Sequence, residues 1–238
     1  MASIALAAAL YSSVGQGGAS GYLAVMALFG FDTVFMKPAV LMMNIAVTSL
    51  ILWRLRRRIE LNRSLFQTLV IASVPAAFIG GAMQLESTMY RMVVGVVLCL
   101  AAIRLIGWGP EVSHARPPEK WRASLAGAGS GFLGGLTGIG GGVLLSPLLL
   151  FMRWSTNREV VFLAAGFIFV NSLAGIAGYA TTMSGWPTGV LPLIAAALVG
   201  TVFGAEVAVR HTAPRVMTRL LGAVLILAAA RLMLFAGI

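Results

Sequence analysis

The chain has 238 residues, 59% of them hydrophobic and 10% charged, with a mean hydropathy of +0.95. A soluble domain of this length does not tolerate that balance, so the expected solvent is lipid. The formal charge of +10 does not point to nucleic acid, because the basic residues sit in short loops between apolar runs, the pattern that orients membrane proteins.

Apolar runs set against turn signals give eight segments. The first, 2–31, has no basic residue ahead of it and is read as mature chain rather than a cleaved leader. It is interrupted near its centre by Gly15-Gln16-Gly17-Gly18. Three ordinary spans come next, 36–53, 65–84 and 89–107; residues 64–85, for example, are uncharged and match the roughly 20 residues that cross a bilayer. Cys99 lies in the last of these and is the single cysteine, so no internal disulfide can form. The linker 109–121 is the one extended polar stretch and is read as cytoplasmic. Segment 122–152 is then broken by Gly138-Ile139-Gly140-Gly141-Gly142, and spans 158–180, 187–208 and 215–236 complete the chain. Residues 160–205 carry no charge and hold two spans, divided at Thr181–Pro187.

The two glycine breaks lie 123 residues apart, and the helices after them repeat as well. Asn44 returns as Asn171, and the run from Gly95 to Leu105 returns as Gly222 to Leu232, each shifted by 127. The chain therefore reads as two related repeats, 1–108 and 122–238. The expected fold class is an all-α polytopic membrane protein in a multi-pass arrangement in the cell (inner) membrane.

Each broken segment reads either as one long span or as a re-entrant hairpin. An arm of 12 helical residues is about 18 Å long, little more than half of the roughly 30 Å hydrocarbon thickness. Hairpins leave three crossings per repeat, an odd number that inverts one repeat against the other; full spans leave four and keep the repeats parallel. The inverted arrangement puts 14 of the 17 basic residues on the cytoplasmic side, with Lys37, Arg91 and Arg231 outside, whereas the parallel one divides them 10 to 7. Basic asymmetry across the membrane favours inversion.

Paired interrupted helices in corresponding positions point to a solute site. A helix starting just after Gly18, or after Gly141, presents free N–H groups and the positive end of its dipole, which bind anions without a cationic side chain. The candidate substrate residues are accordingly Gly15, Gln16, Gly17, Gly18, Gly138, Ile139, Gly140, Gly141 and Gly142. Asn44 and Asn171 join them, as amide donors to the anion or as interhelical hydrogen bonds. Thr48 and Ser172 are expected to bond within their own helices. Gly131-x-x-x-Gly135 and Gly200-x-x-x-Gly204 read as packing motifs. Arg104 and Arg231 are expected to complement their own helix ends and snorkel. Glu206 pairs by default with Arg210 one turn on; its alternative role is proton coupling.

The run from Gly138 to Pro147 resembles the glycine-rich signature of the TauE/SafE family of membrane permeases. The resemblance covers both repeats and extends to the closing helices with Arg104 and Arg231. The second copy matches closely, while the first departs at Gln16, at Ala19 and at Ala24, which aligns with Pro147. The resemblance implies movement of small anions such as sulfite, sulfoacetate or another organosulfonate. The partners expected are a small anionic solute and the lipid bilayer, with no cofactor and no nucleic acid; the oligomeric state, a homodimer included, stays open. An enzyme is not expected. Gly18-Ala19-Ser20-Gly21 fits the G-x-S-G of intramembrane serine proteases, but His114 and His211 lie in loops and leave the serine without a base. No His, Cys and carboxylate grouping suggests a metal. The alternatives are a permease for a non-sulfur organic anion and a non-transporting assembly factor.

Overall fold

The computed structural model describes residues 1–13, 17–56, 62–106, 112, 114–116, 118–182, 187–210 and 215–234. Ten α-helices and no strand occur among them. In chain order they are α1 (Ala2–Ser13), α2 (Ala19–Leu28), α3 (Thr33–Leu55), α4 (Arg63–Ala82), α5 (Ser87–Leu105), α6 (Lys120–Thr137), α7 (Gly142–Phe151), α8 (Asn157–Thr182), α9 (Val190–Arg210) and α10 (Arg215–Leu234). Three of them, α3, α4 and the stretch Arg158–Thr182 of α8, are each long and apolar enough to cross a membrane.

Local chemistry sets the helix starts. Asp32 accepts from the Val34 N–H ahead of α3, and Asn62 accepts from the Leu65 N–H ahead of α4. Thr156 and Glu159 exchange side-chain-to-backbone hydrogen bonds at the start of α8, a reciprocal capping box. The starts of α2 and α7 differ: both are glycine N-caps without a side-chain hydrogen bond. Their ends match each other too. The Phe31 and Gly30 N–H groups return to the Met26 and Ala27 carbonyls, and those of Trp154 and Arg153 return to Leu149 and Leu150. In each case the turning residue has positive φ, 72° at Gly30 and 57° at Arg153, as this C-terminal motif requires.

Both broken segments fold back on themselves. A Cβ on Gly21 of α2 would sit 2.7 Å from Tyr11 Cε2 and 3.3 Å from Ala7 Cβ of α1, and Ser20 donates to the Tyr11 hydroxyl at 2.9 Å. In the second segment a Cβ on Gly141 would run into the Ser130 carbonyl oxygen of α6. With 12, 10 and 10 residues, α1, α2 and α7 are about 15–18 Å long, too short to cross alone. The remaining arm, α6, is longer than expected at 18 residues, because it begins at Lys120 with Trp121 exposed.

Glycines set the closest helix contacts. Gly127, Gly131 and Gly135 of α6 pack on the backbone of Leu69, Ser73 and Ala77 of α4, while Gly200 and Gly204 of α9 pack on Ala5 and Ala9 of α1. Ser73 and Ala77 correspond to Gly200 and Gly204 under the 127-residue shift. The small residue thus lies on the broken helix in one interface and on its partner in the other. These are packing glycines, as expected. Buried apolar side chains gather in two clusters, a larger one among α1, α2, α3, α5, α9 and α10, joined by Ile139 of the second break and Val143 of α7, and a smaller one among α4, α6, α7 and α8.

Candidate solute site at the helix breaks

The two breaks meet at one residue. A Cβ on Gly17 would lie 3.3 Å from Ile168 Cδ1, and one on Gly140 would lie 2.9 Å from Ile168 Cγ2. Ile168 is 3% exposed and sits about midway along α8, so the breaks converge at the centre of the helix layer. Thr48 of α3 approaches the first break, its Cγ2 3.4 Å from the position of a Gly17 Cβ.

Each second arm begins at the residue after the expected glycine: Ala19 follows Gly18 and Gly142 follows Gly141. Gly18, Gly138, Gly140 and Gly141 have φ of 83°, 88°, 75° and 77°, where an L side chain is strained. The Tyr22 N–H is bonded to the Gly18 carbonyl at 2.9 Å, and the Leu144 and Leu145 N–H groups to the Gly141 carbonyl at 3.1 and 3.0 Å. The N–H groups ahead of these, on Ala19, Ser20, Gly21, Gly142 and Val143, are those a helix cannot pair within itself.

The carbonyl side of the second break is covered, in contrast. Asn44 Nδ2 donates to the Gly138 carbonyl at 3.1 Å, and the Tyr90 hydroxyl donates to the Thr137 carbonyl at 2.9 Å. Gly134 accepts from the N–H groups of Gly138 and Gly140. Two carbonyls at the α6 C-terminus are thereby satisfied by side chains of the first repeat.

Asn44 therefore makes the interhelical hydrogen bond, to the break of the other repeat. Asn171 holds its own helix, donating to the Phe167 carbonyl at 2.8 Å. A carbonyl can only accept, so both amides must turn their oxygens away from these bonds. Asn44 Oδ1, Asn171 Oδ1 and Ser172 Oγ are all buried without a hydrogen-bond partner. Thr48 does bond within its helix, to the Asn44 carbonyl at 2.5 Å, but Ser172 does not follow the same expectation. Its hydroxyl faces the second break, 2.8 Å from the position of a Gly140 Cβ. A buried polar atom left unpaired costs about 1–3 kcal/mol, and the amide oxygens each call for a donor that the packed helices do not supply; Ser12 Oγ and Tyr22 Oη are unpaired in the same way.

Gly15 and Gln16, and the Glu206 and Arg104 side chains, lie outside the described residues. Ile139 is fully buried, and its N–H donates to Thr137 Oγ1 at 3.4 Å. Arg231 lies in the last turn of α10, as expected, and its Nη1 also donates at 2.7 Å to the Ala27 carbonyl at the C-terminus of α2. Lys37 is a residue that the sequence reading missed. It is 7% exposed, the one buried charged residue among those described, and Nζ donates to the carbonyls of Gly80, Gly81 and Met83 at 3.1, 2.7 and 2.9 Å. Its own carbonyl is 2.8 Å from the position of a Gly138 Cβ, so the residue joins the end of α4 to the second break. A cavity of about 70 Å³ lined by Lys37, Gln84, Tyr90, Leu136 and Tyr179 reaches the same place.

The profile of the family described as "Sulfite exporter TauE/SafE" matches residues 1–232. A relative from Sinorhizobium fredii (strain NBRC 101917 / NGR234), "Probable membrane transporter protein y4hK", is 32% identical over 208 residues, covering 84% of this chain and 83% of its own. No solved structure matches the chain.

Proposed function

The chain belongs to the sulfite exporter TauE/SafE family, and on that premise we propose that it is a secondary permease for small anions, sulfite, sulfoacetate or a related organosulfonate. It is a membrane transporter by family and by relative, which points away from an enzyme. The observation that carries the anion reading is the meeting of two glycine-started helices at Ile168, with the carbonyl side of the second break covered by Asn44 and Tyr90. Positive dipole ends and main-chain N–H groups suit a compact oxyanion. Glycine lets it reach the backbone.

Inverted repeats with re-entrant arms then supply alternating access. The short folded-back arms and the exchanged contacts of α1 with α9 and α6 with α4 support this reading. In a bilayer, irregular backbone at mid-depth is tolerated where it lines a watery cavity, and the unpaired oxygens of Asn44, Asn171 and Ser172 fit that requirement. The test is flux in proteoliposomes with sulfite, sulfoacetate, thiosulfate, sulfate and carboxylate analogues. Saturable flux of sulfite or a sulfonate is expected. Preference for carboxylates would favour a non-sulfur organic anion, and no flux of any anion would leave the assembly factor.

A further inference from the structure

An open cavity of about 400 Å³ lies on the outer wall where α3, α4 and α8 meet, remote in character from the helix breaks. Trp53 and Arg56 from α3 and its C-cap, Phe66 from α4, and Phe162, Gly166 and Val170 from α8 line it. Gly166 leaves room at its floor, since a Cβ there would sit 3.0 Å from the Phe66 ring. From Phe162 to Val170 the helix rises about 12 Å, most of one leaflet's share of a core about 30 Å thick.

The groove is apolar along its length, and the exposed Arg56 side chain stands at its rim beside Trp53. The Arg56 guanidinium lies 5.4 Å from the Trp53 ring centroid, a cation–π pair, and Trp53 is 61% exposed. Tryptophan in that setting marks the headgroup level of a bilayer. The sequence around it, from Arg54 to Arg63, holds five arginines against one glutamate. A groove that offers hydrocarbon contact, with an arginine at its rim, is complementary to a lipid with an acyl chain and an anionic headgroup.

We propose that this groove seats an acyl chain of an anionic phospholipid, with the headgroup phosphate against Arg56. A free phosphate would use the arginine but not the groove, and a neutral lipid the groove but not the arginine. α8 carries Ile168, Asn171 and Ser172 as well as the groove wall, so a seated chain braces the helix on which both breaks rest.

The test is thermal unfolding of the full chain in detergent with added dioleoylphosphatidylglycerol, dioleoylphosphatidylcholine or glycerol 3-phosphate. Phosphatidylglycerol is expected to raise the melting temperature by several degrees and the other two to change it far less. Arg56→Gln and Val170→Trp should each remove most of that increment, and Arg122→Gln, outside the groove lining, should keep it. An equal rise with phosphatidylcholine or with glycerol 3-phosphate, or an increment that survives both groove variants, would overturn the proposal. So would efficient cross-linking of two copies through a cysteine at Trp53 in the lipid-free protein, because a second chain would then fill the groove. The readout is lipid-dependent stability and stands apart from any result on solute flux.

Discussion

The Asn44 amide of the first repeat donates to the Gly138 carbonyl of the second, 94 positions along the chain, at 3.1 Å. A polar residue in the middle of one spanning helix thus completes the broken helix of the other repeat. Asn171, its counterpart in sequence, donates only to Phe167 one turn back. The two asparagines occupy matching positions and do different jobs.

That difference is measurable. Asn44→Leu strands the Gly138 carbonyl and should cost about 1–3 kcal/mol, the loss for a buried acceptor left unmade. Asn171→Leu removes a second bond to a carbonyl that the helix ladder already uses, and should cost well under half as much. Denaturant or thermal unfolding of the two variants in detergent gives the comparison. Equal losses would contradict the assignment of Asn44 to the break.

Lys37 holds three carbonyls at the end of α4. Lys37→Met keeps the stem and removes every donor, so we expect a net loss of about 1.5–3 kcal/mol after the relief of ammonium desolvation is counted. Partial proteolysis should also show earlier opening around residues 80–83. A variant as stable as the parent would show that the Nζ bonds contribute nothing net.

The packing glycines make a separate test. Gly131 and Gly135 press on the backbone of Ser73 and Ala77, so Gly135→Val should impair folding of the α4–α6 pair outright. Gly129 has open space where a Cβ would go, and Gly129→Ala should stabilise the chain by about 0.8–1 kcal/mol through helix propensity alone. Expression yield and melting temperature read both. Destabilisation by Gly129→Ala would be at odds with the packing described.

Much of this arrangement is legible in the residues, for physical reasons that can be named. The starts of α2 and α7 follow from Gly18 and Gly141, because adjacent glycines stop one helix and leave no Cβ in the turn. The family is legible in the run from Gly138 to Pro147. The partners of polar groups are not, because they come from far along the chain: Gly138 for Asn44, Ala27 for Arg231 and Gly81 for Lys37. Lys37 did carry a signal. A cation in the second turn of a helix capped by Asp32 opposes the helix dipole, and so demands a tertiary partner. Ile168 carried none, being one apolar residue in an apolar span.

The proposed inverted arrangement would place the Arg153–Arg158 loop in the cytoplasm and residues 184–186, which lie outside the described residues, on the far side. With Cys99 replaced, a cysteine at Ser184 should react with an impermeant reagent applied from outside, and one at Asn157 should not. The opposite pattern would restore eight full spans.

Substrate affinity of folded variants tests the central claim, anion recognition by main-chain N–H groups at the two breaks, most directly. Gly17→Val and Gly140→Val place a Cβ against Ile168 at the meeting point, whereas Arg231→Ala removes a cation committed to Ala27. Sulfite binding or counterflow should be lost in the folded fraction of both glycine variants, and should persist in Arg231→Ala. Unchanged affinity in the glycine variants, with elimination by Arg231→Ala, would mean that side-chain cations build the site and that the helix-break account is wrong.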